Sequence, residues 1–404
     1  MWEVPPITVY FVFFIEFLIA FFLLIFYISQ KKQSTQKSKD YEITFIIPSY
    51  NCEEILQKTV SSIKNTKYPQ DKIQIIIVND GSTDNTLAVA KKLEKQYARI
   101  EVINKKNTGK ADSLNAGIKQ AKTELIAVLD SDTLLKEDML EKAMPLFSDN
   151  ITMAVTSRLR PLNNRKIIER MQYVEYTLAG FYRTIMSNAN SLPVAPAFTI
   201  FRREFFKKHG YFDTNNLTED LEMGLRIQSN HYNVGYVSHS YASTIVPDTL
   251  KKLIKQRVRW AYGTFYNYKK YKHLFFSKKY GDLGIFFLPF GFISILIVSF
   301  SLLLQVYIAL SWIVKHIQLL ILGWLPSVSI DITKILIEIT ELKIVLLIMS
   351  IFIGLITFYL TKWEFKEKMK LKDYAFTILF YLWILAFVYV ITLAYFIVNK
   401  KPKW

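Results

Sequence analysis

Two kinds of hydrophobic pattern alternate along the chain. Four long runs, Ile7 to Ile28, Ile285 to Trp312, Ile344 to Thr361 and Ala375 to Val398, are apolar, nearly uncharged and each about long enough to cross a bilayer. The first is long for the apolar part of a signal peptide, is preceded by Glu3, and is followed by Lys31, Lys32, Lys37 and Lys39. Basic residues just after a span mark the cytoplasmic side, so the amino terminus is expected outside and the segment from Lys31 inside. The basic stretch Lys362 to Lys372 is expected on that same inner side. Gln318 to Glu341, with Pro326 and scattered charges, reads either as an extracellular interfacial segment or as a further span. The first choice leaves Lys400, Lys401 and Lys403 outside; the second moves them inside.

Between the first and second runs the pattern shortens. Ile43 to Pro48, Ile73 to Val78, Ile100 to Ile103 and the run from Glu124 to Asp132 are brief apolar stretches that end in polar residues, as buried parallel strands do. Glu53 to Asn65 has helical spacing through Ile55, Leu56, Val60 and Ile63; Thr83-Asp84 predicts a helix start, and Gly109 to Ala121 predicts another helix. Strand and helix thus alternate, which predicts a parallel sheet with helices on both faces. Beyond Ile151 the pattern is less regular. Met153 to Thr156 predicts a strand, Arg158, Arg160 and Arg165 a solvated loop, and Ile167 to Asn188 an amphipathic helix facing either core or membrane. Leu192 to Arg203 reads as a tightly turned apolar segment, stiffened by Pro196 and ending in two arginines. The expected domains are a membrane helix over 1–30, a Lys-rich linker over 31–41, a catalytic domain over 42–250, interfacial helices over 251–283 and a membrane region of about three spans over 284–404.

Composition supports a membrane protein: 51% of the 404 residues are hydrophobic and 15% aromatic. The net charge of +17 is not interleaved into a nucleic-acid motif, so no nucleic-acid partner is expected, and an anionic membrane surface or a diphosphate suits it better. A single cysteine, Cys52, excludes an intrachain disulfide and a multi-cysteine metal site.

The candidate chemistry lies at the strand ends. Tyr50 and Asn51, Asp80, Asn107 to Lys110, and Asp130 with Asp132 would gather along one sheet edge, where open α/β sheets bind ligands. Two carboxylates one residue apart offer hard oxygen donors for Mg²⁺ or Mn²⁺, although such a pair also serves simply to cap a helix or solvate a turn. Neither a Gly-x-Gly-x-x-Gly nor a Walker A pattern occurs, which disfavours a dinucleotide fold or a P-loop ATPase. Thr218-Glu219-Asp220 has the form of a capped helix start. Helical spacing brings Gln256 and Arg259 together with Trp260 beside them.

Taken in order, Pro48-Ser49-Tyr50-Asn51, Val78-Asn79-Asp80-Gly81-Ser82-Thr83-Asp84, Asn107-Thr108-Gly109-Lys110-Ala111, Asp130-Ser131-Asp132, Thr218-Glu219-Asp220 and Gln256-x-x-Arg259-Trp260 resemble the motifs of membrane-bound processive β-glycosyltransferases of family two. The resemblance covers about half the chain. It implies an inverting enzyme with an α/β GT-A nucleotide-sugar domain inserted between transmembrane helices. It further implies that Pro48, Tyr50, Asp80, Lys110, Asp130 and Arg259 bind the donor, Asp80 at the uracil or ribose and Arg259 at the diphosphate. Asp132, with Asp130, would hold the metal. Asp220 would be the general base, with Glu219 beside it, and Gln256, Trp260, Phe198 and Thr218 would meet the acceptor. Two positions depart from the family: Cys52 stands where Glu often follows the loop Asn, and Pro196 stands near an expected Gly.

Gln256-Arg257-x-Arg259-Trp260-Ala261 and Phe201-Arg202-Arg203 look most similar to poly-β-1,6-N-acetylglucosamine synthases, with hyaluronan, chitin and cellulose synthases sharing the skeleton. The expected donor is therefore UDP-N-acetylglucosamine, the acceptor a growing polysaccharide, and the setting the plasma membrane with the catalytic domain in the cytoplasm; a small membrane subunit is a further candidate partner. Two alternatives remain at this point: transfer of one sugar to a lipid or polyprenyl phosphate, and a transporter or receptor that keeps an inactive transferase domain. The full set of expected carboxylates argues against the latter.

Overall fold

The computed structural model describes residues 6–28, 39–194, 196–322, 341–398 and 400–402. Its elements are α1 (Pro6–Ile28), β1 (Ile43–Ser49), α2 (Leu56–Lys64), β2 (Ile73–Asp80), α3 (Thr86–Gln96), β3 (Ile100–Lys105), α4 (Lys110–Gln120), β4 (Leu125–Leu129), β5 (Thr133–Leu135), α5 (Met139–Ala143), β6 (Thr152–Pro161), α6 (Ile167–Asn188), β7 (Phe198–Arg202), α7 (Arg203–His209), α8 (Glu219–Ser229) and β8 (Asn233–Thr244). After them come α9 (Leu250–Lys270), α10 (Leu288–Ile321), α11 (Glu341–Phe365) and α12 (Leu371–Ile397).

Every residue of β1 and β4 is buried, as the unbroken apolar runs require of strands covered on both faces. Ile43, Phe45 and Ile47 enter one core cluster and Ile46 the other, which is the alternation that a pleated strand imposes. On the second face α4 lies close against β1: a Cβ at Gly117 would fall 2.5 Å from the Ile46 side chain, so only glycine fits there.

The sheet has the order β3-β2-β1-β4-β7-β6-β8-β5. Its first four strands pair in parallel, as expected, and Ile43 of β1 faces both Ile73 and Leu125. The second half differs. β7 runs antiparallel to both β4 and β6, β8 is parallel to β6, and β5 is antiparallel to β8, so the sheet is mixed.

Three expectations beyond Ile151 are corrected. Residues 198–202 form a buried strand, not part of a tight turn, because their apolar side chains extend the core beside β4. Arg158 and Arg160 lie on β6, not in a solvated loop, and Arg158 is only 4% exposed because Glu367 faces it at 2.6 Å. Tyr173 of α6 donates to the same Glu367. The α6 helix is neither pure core nor membrane surface: it packs on β6 and β8 and on α12.

Among the described residues three helical segments are long and apolar enough to cross a membrane, Leu283–Leu319, Ile348–Phe365 and Leu371–Ile397. They coincide with the last three apolar runs. The first run forms the 23-residue helix α1, which packs on α11, where Tyr27 donates to Glu364 at 2.6 Å. The turn between α11 and α12 sits against the catalytic domain through Glu367 and through Asp373, 3.7 Å from Arg170. The basic stretch Lys362 to Lys372 therefore lies beside the sheet. Residues 29–38 of the linker, 323–340 with Pro326, and Lys403 lie outside the described residues. The α9 helix, expected at the membrane interface, packs its buried face on α8 and α12.

Candidate active site

The β4 strand stops at Leu129, and the chain turns at once: Thr133 donates its amide to Asp130 O at 3.0 Å, while the Asp130 amide donates to Ala197 O at 3.0 Å. Asp130 and Asp132 are thereby held on one turn at the carboxyl end of a central strand. Asp132 accepts only long bonds, from Thr133 Oγ1 at 3.2 Å and Thr244 Oγ1 at 3.3 Å. Burial pushes its carboxyl above the usual range, and the neighbouring Asp130 charge adds to this.

Lys110, the first residue of α4, lies 2.7 Å from Asp130 Oδ1 and 3.2 Å from Glu219 Oε1. Burial works against its charge, but Asp130, Glu219 and Asp220 outweigh that and raise its pKa. The position of Lys110 depends on the turn before it, which Gly109 enters at φ +99°. Asp80 holds that turn: it accepts from Lys105 Nζ at 2.6 Å, the Thr108 amide at 3.0 Å and the Gly109 amide at 2.9 Å. Burial opposes its ionisation, yet these donors keep its carboxyl below the usual range.

Glu219 and Asp220 open α8. Thr218, expected as the cap, makes no capping bond with its side chain. Instead its Oγ1 accepts from Asn267 Nδ2 at 3.0 Å and presses on α9 where a Cβ at Gly263 would lie 2.2 Å away. Asn216 Nδ2 donates to Asn267 Oδ1 at 2.7 Å, so buried amides fix the start of α8 to α9. Asp220 is raised to about 6, first by burial and then by the Glu219 charge, with Lys110 opposing.

A cavity of about 700 Å³ joins these groups. Lys110, Asp130, Asp132, Glu219 and Asp220 line it together with Gln256, Arg259 and Trp260 of α9. Thr218 also reaches it, as do Pro196 and Ala197. The remaining expected residues do not line it. Phe198 is fully buried and stacks on Phe45 with ring centroids 6.4 Å apart; strand alternation turns it into the core, so its assignment to the acceptor is corrected. Pro48 is buried in β1, Tyr50 is half exposed on the adjoining loop, and Asp80 lies behind the Thr108–Gly109 turn with its side chain 6% exposed. The sequence reading missed Glu175, Tyr176 and Arg183, three α6 side chains that line the cavity, and Arg257, which is buried behind Trp260. Charge on one face of the otherwise aromatic α6 was the available signal.

A family-two frame now fits fold and site together. The chain belongs to the glycosyltransferase-like family 2, whose pattern matches residues 41–263, and it has a GT-A-like fold beside membrane-length helices. It is 35% identical over 224 residues to the poly-beta-1,6-N-acetyl-D-glucosamine synthases of Staphylococcus epidermidis and of Staphylococcus aureus strain COL, covering 55% of this chain and 54% of theirs. The chain thus spans about half the length of the curated relatives it matches. Among solved structures it is similar in fold to the mannosyltransferase PcManGT from Pyrobaculum calidifontis in complex with GDP-Man and Mn²⁺, with a TM-score of 0.52 and 20% identity, over 66% of this chain and 73% of that one.

Proposed function

We propose that the protein is an inverting, processive glycosyltransferase that extends a β-linked N-acetylglucosamine polymer from UDP-N-acetylglucosamine at the cytoplasmic face of the plasma membrane, the chain leaving between its membrane helices. The observation that supports this most is the shared cavity: the acidic donor-side residues and the Gln256, Arg259 and Trp260 face of α9 open into one space. A donor sugar and the end of an acceptor chain can meet there.

Asp130 and Asp132 fit a divalent cation, since they are hard oxygen donors on one turn and Asp132 is burdened by its neighbour's charge. Among the described residues no group of three or more His, Cys, Asp or Glu side chains could hold a metal, so among them the cation would rest on this pair. When bound, Mg²⁺ or Mn²⁺ would neutralise charge on the donor diphosphate. Arg259, which also lines the cavity, would add positive charge at the same diphosphate, and Trp260 would stack on the terminal sugar of the acceptor.

Asp220 takes the proton from the attacking acceptor hydroxyl. As that oxygen bonds to the anomeric carbon, the bond from carbon to the UDP oxygen breaks and UDP leaves with the electron pair. A carboxylate near pKa 6 is mostly ionised at neutral pH yet basic enough to accept the proton. Lys110 keeps Asp130 and Glu219 compensated, so Asp220 is not forced further upward. Asp80 acts here through the Lys105 and Gly109 contacts that place Lys110. The test is UDP release and product size measured together on the full chain: a high-mass product from UDP-N-acetylglucosamine supports the reading, and a lipid-sized product overturns processivity.

A further inference from the structure

Arg257 stands between the two acceptor-side residues of α9, yet it does not itself line the cavity and its side chain is only 4% exposed. Its Nη2 lies 2.5 Å from Glu175 Oε2, its Nε donates to the Tyr381 hydroxyl at 3.0 Å, and that hydroxyl donates to Glu175 Oε2 at 2.7 Å. The three groups close a triangle on three helices, α6, α9 and the membrane helix α12. Met171, Leu253 and Ile384 surround it with apolar side chains. Taking a guanidinium out of water is costly unless its hydrogen bonds are well satisfied, and Glu175, 23% exposed at the cavity, and Tyr381 supply partners for it.

The other side of Arg257 faces the acceptor residues. Its guanidinium lies 4.1 Å from the Trp260 ring centroid, and its Nη1 donates to Gln256 Oε1 at 2.8 Å. One buried cation therefore fixes both the indole plane and the amide. A guanidinium is planar and forked, so its orientation is transmitted to the ring that stacks on it.

We propose that Glu175, Arg257 and Tyr381 form a latch that sets the orientation of Gln256 and Trp260, making the membrane helix α12 a component of the acceptor site. This rests on the reading of Gln256 and Trp260 as acceptor residues. Arg257 and Tyr381 are positioning residues: neither lines the cavity, and both act through Trp260 and Gln256. A shift of α12 against α9 is consequently felt where the sugar stacks.

The test uses the full chain in lipid nanodiscs, with UDP-N-acetylglucosamine as donor and a soluble β-linked N-acetylglucosamine oligomer as acceptor. Three quantities are followed: acceptor KM, donor KM, and acceptor-independent hydrolysis of the donor. Tyr381→Phe deletes one hydroxyl with little change in volume, and the expected result is an acceptor KM about tenfold higher, the effect of losing roughly one well-placed hydrogen-bonded contact, with donor KM and hydrolysis unchanged. Arg257→Lys keeps the charge but loses the fork, and shifts acceptor KM in the same direction. In a Gln256→Ala, Trp260→Ala background, Tyr381→Phe has no further effect on acceptor KM. The latch is overturned if Tyr381→Phe lowers donor hydrolysis as much as transfer, or if its effect adds fully to that of the Gln256→Ala, Trp260→Ala double variant. Should Trp260→Ala alone leave acceptor KM unchanged, the acceptor reading of α9 fails first; the latch fails alone when Trp260→Ala raises acceptor KM and Tyr381→Phe does not.

Discussion

Lys110 Nζ lies 2.7 Å from Asp130 Oδ1, and this contact ties the start of α4 to the carboxylate turn after β4. The same ammonium is 3.2 Å from Glu219, so it links the donor side of the cavity to the helix that carries Asp220. Lys110→Met removes a positive charge that lowers the pKa of Asp220. The acid limb of the pH–rate profile then moves upward by roughly one pH unit, and donor KM rises. A pH profile of kcat/KM at fixed acceptor checks both effects.

The unmodified enzyme loses activity as pH falls through about 6, because Asp220 must be ionised to accept a proton. An ordinary aspartate titrates near 4, and a limb there would exclude Asp220 as the base. The profile is read in kcat/KM for the acceptor, which reports the free enzyme.

Asp220→Asn removes the base, and transfer falls by about 10²- to 10⁴-fold. Stability moves the other way. The folded protein holds the Asp220 proton more tightly than the unfolded chain does, so this group's contribution is fully present below about pH 4 and is lost as pH rises through about 6. Asn has no charge to desolvate, and the variant is expected to be more stable than the parent by roughly 3 kcal/mol at pH 8 and equal to it near pH 4. Thermal unfolding at the two pH values measures the difference.

Arg158 and Glu367, side chains 4% and 5% exposed, join β6 to the turn between α11 and α12. Glu367→Gln leaves a buried guanidinium without its counter-charge and is expected to cost about 3 to 5 kcal/mol. Replacing both residues by Met recovers most of that loss, since two apolar side chains need no partner. Unfolding midpoints of the single and double variants decide it, and equal destabilisation by both would refute an electrostatic origin.

The first four strands were legible because each is an apolar run that stops at a polar residue, and the parallel half of the sheet follows from their alternation with helices. The three membrane-length helices among the described residues were legible for the same reason: length and lack of charge mark them without a partner. The second half was harder. Pro193 and Pro196 made residues 192–203 look like a turn, whereas the prolines precede the strand and leave Phe198 to Arg202 free to pair. Arg158 and Arg160 looked solvated because their counter-charge, Glu367, is 209 residues from Arg158, embedded in a basic stretch. Asp130, Asp132, Asp220, Gln256, Arg259 and Trp260, which the motifs single out, share one cavity. Phe198 was misassigned because a one-residue step along a strand reverses the face, and that phase is set by pairing with β4. Arg257 was passed over because its partners Glu175 and Tyr381 come from helices distant in sequence.

The most direct test of the account is turnover by the purified full chain in nanodiscs, given UDP-N-acetylglucosamine with Mn²⁺ or Mg²⁺ and compared with UDP-glucose and UDP-glucuronic acid. UDP release and product mass are recorded in the same reaction. The account predicts UDP release from UDP-N-acetylglucosamine with a high-mass product, both abolished by Asp132→Asn. UDP release accompanied only by a lipid-sized product, or a polymer made only from another donor, would contradict it.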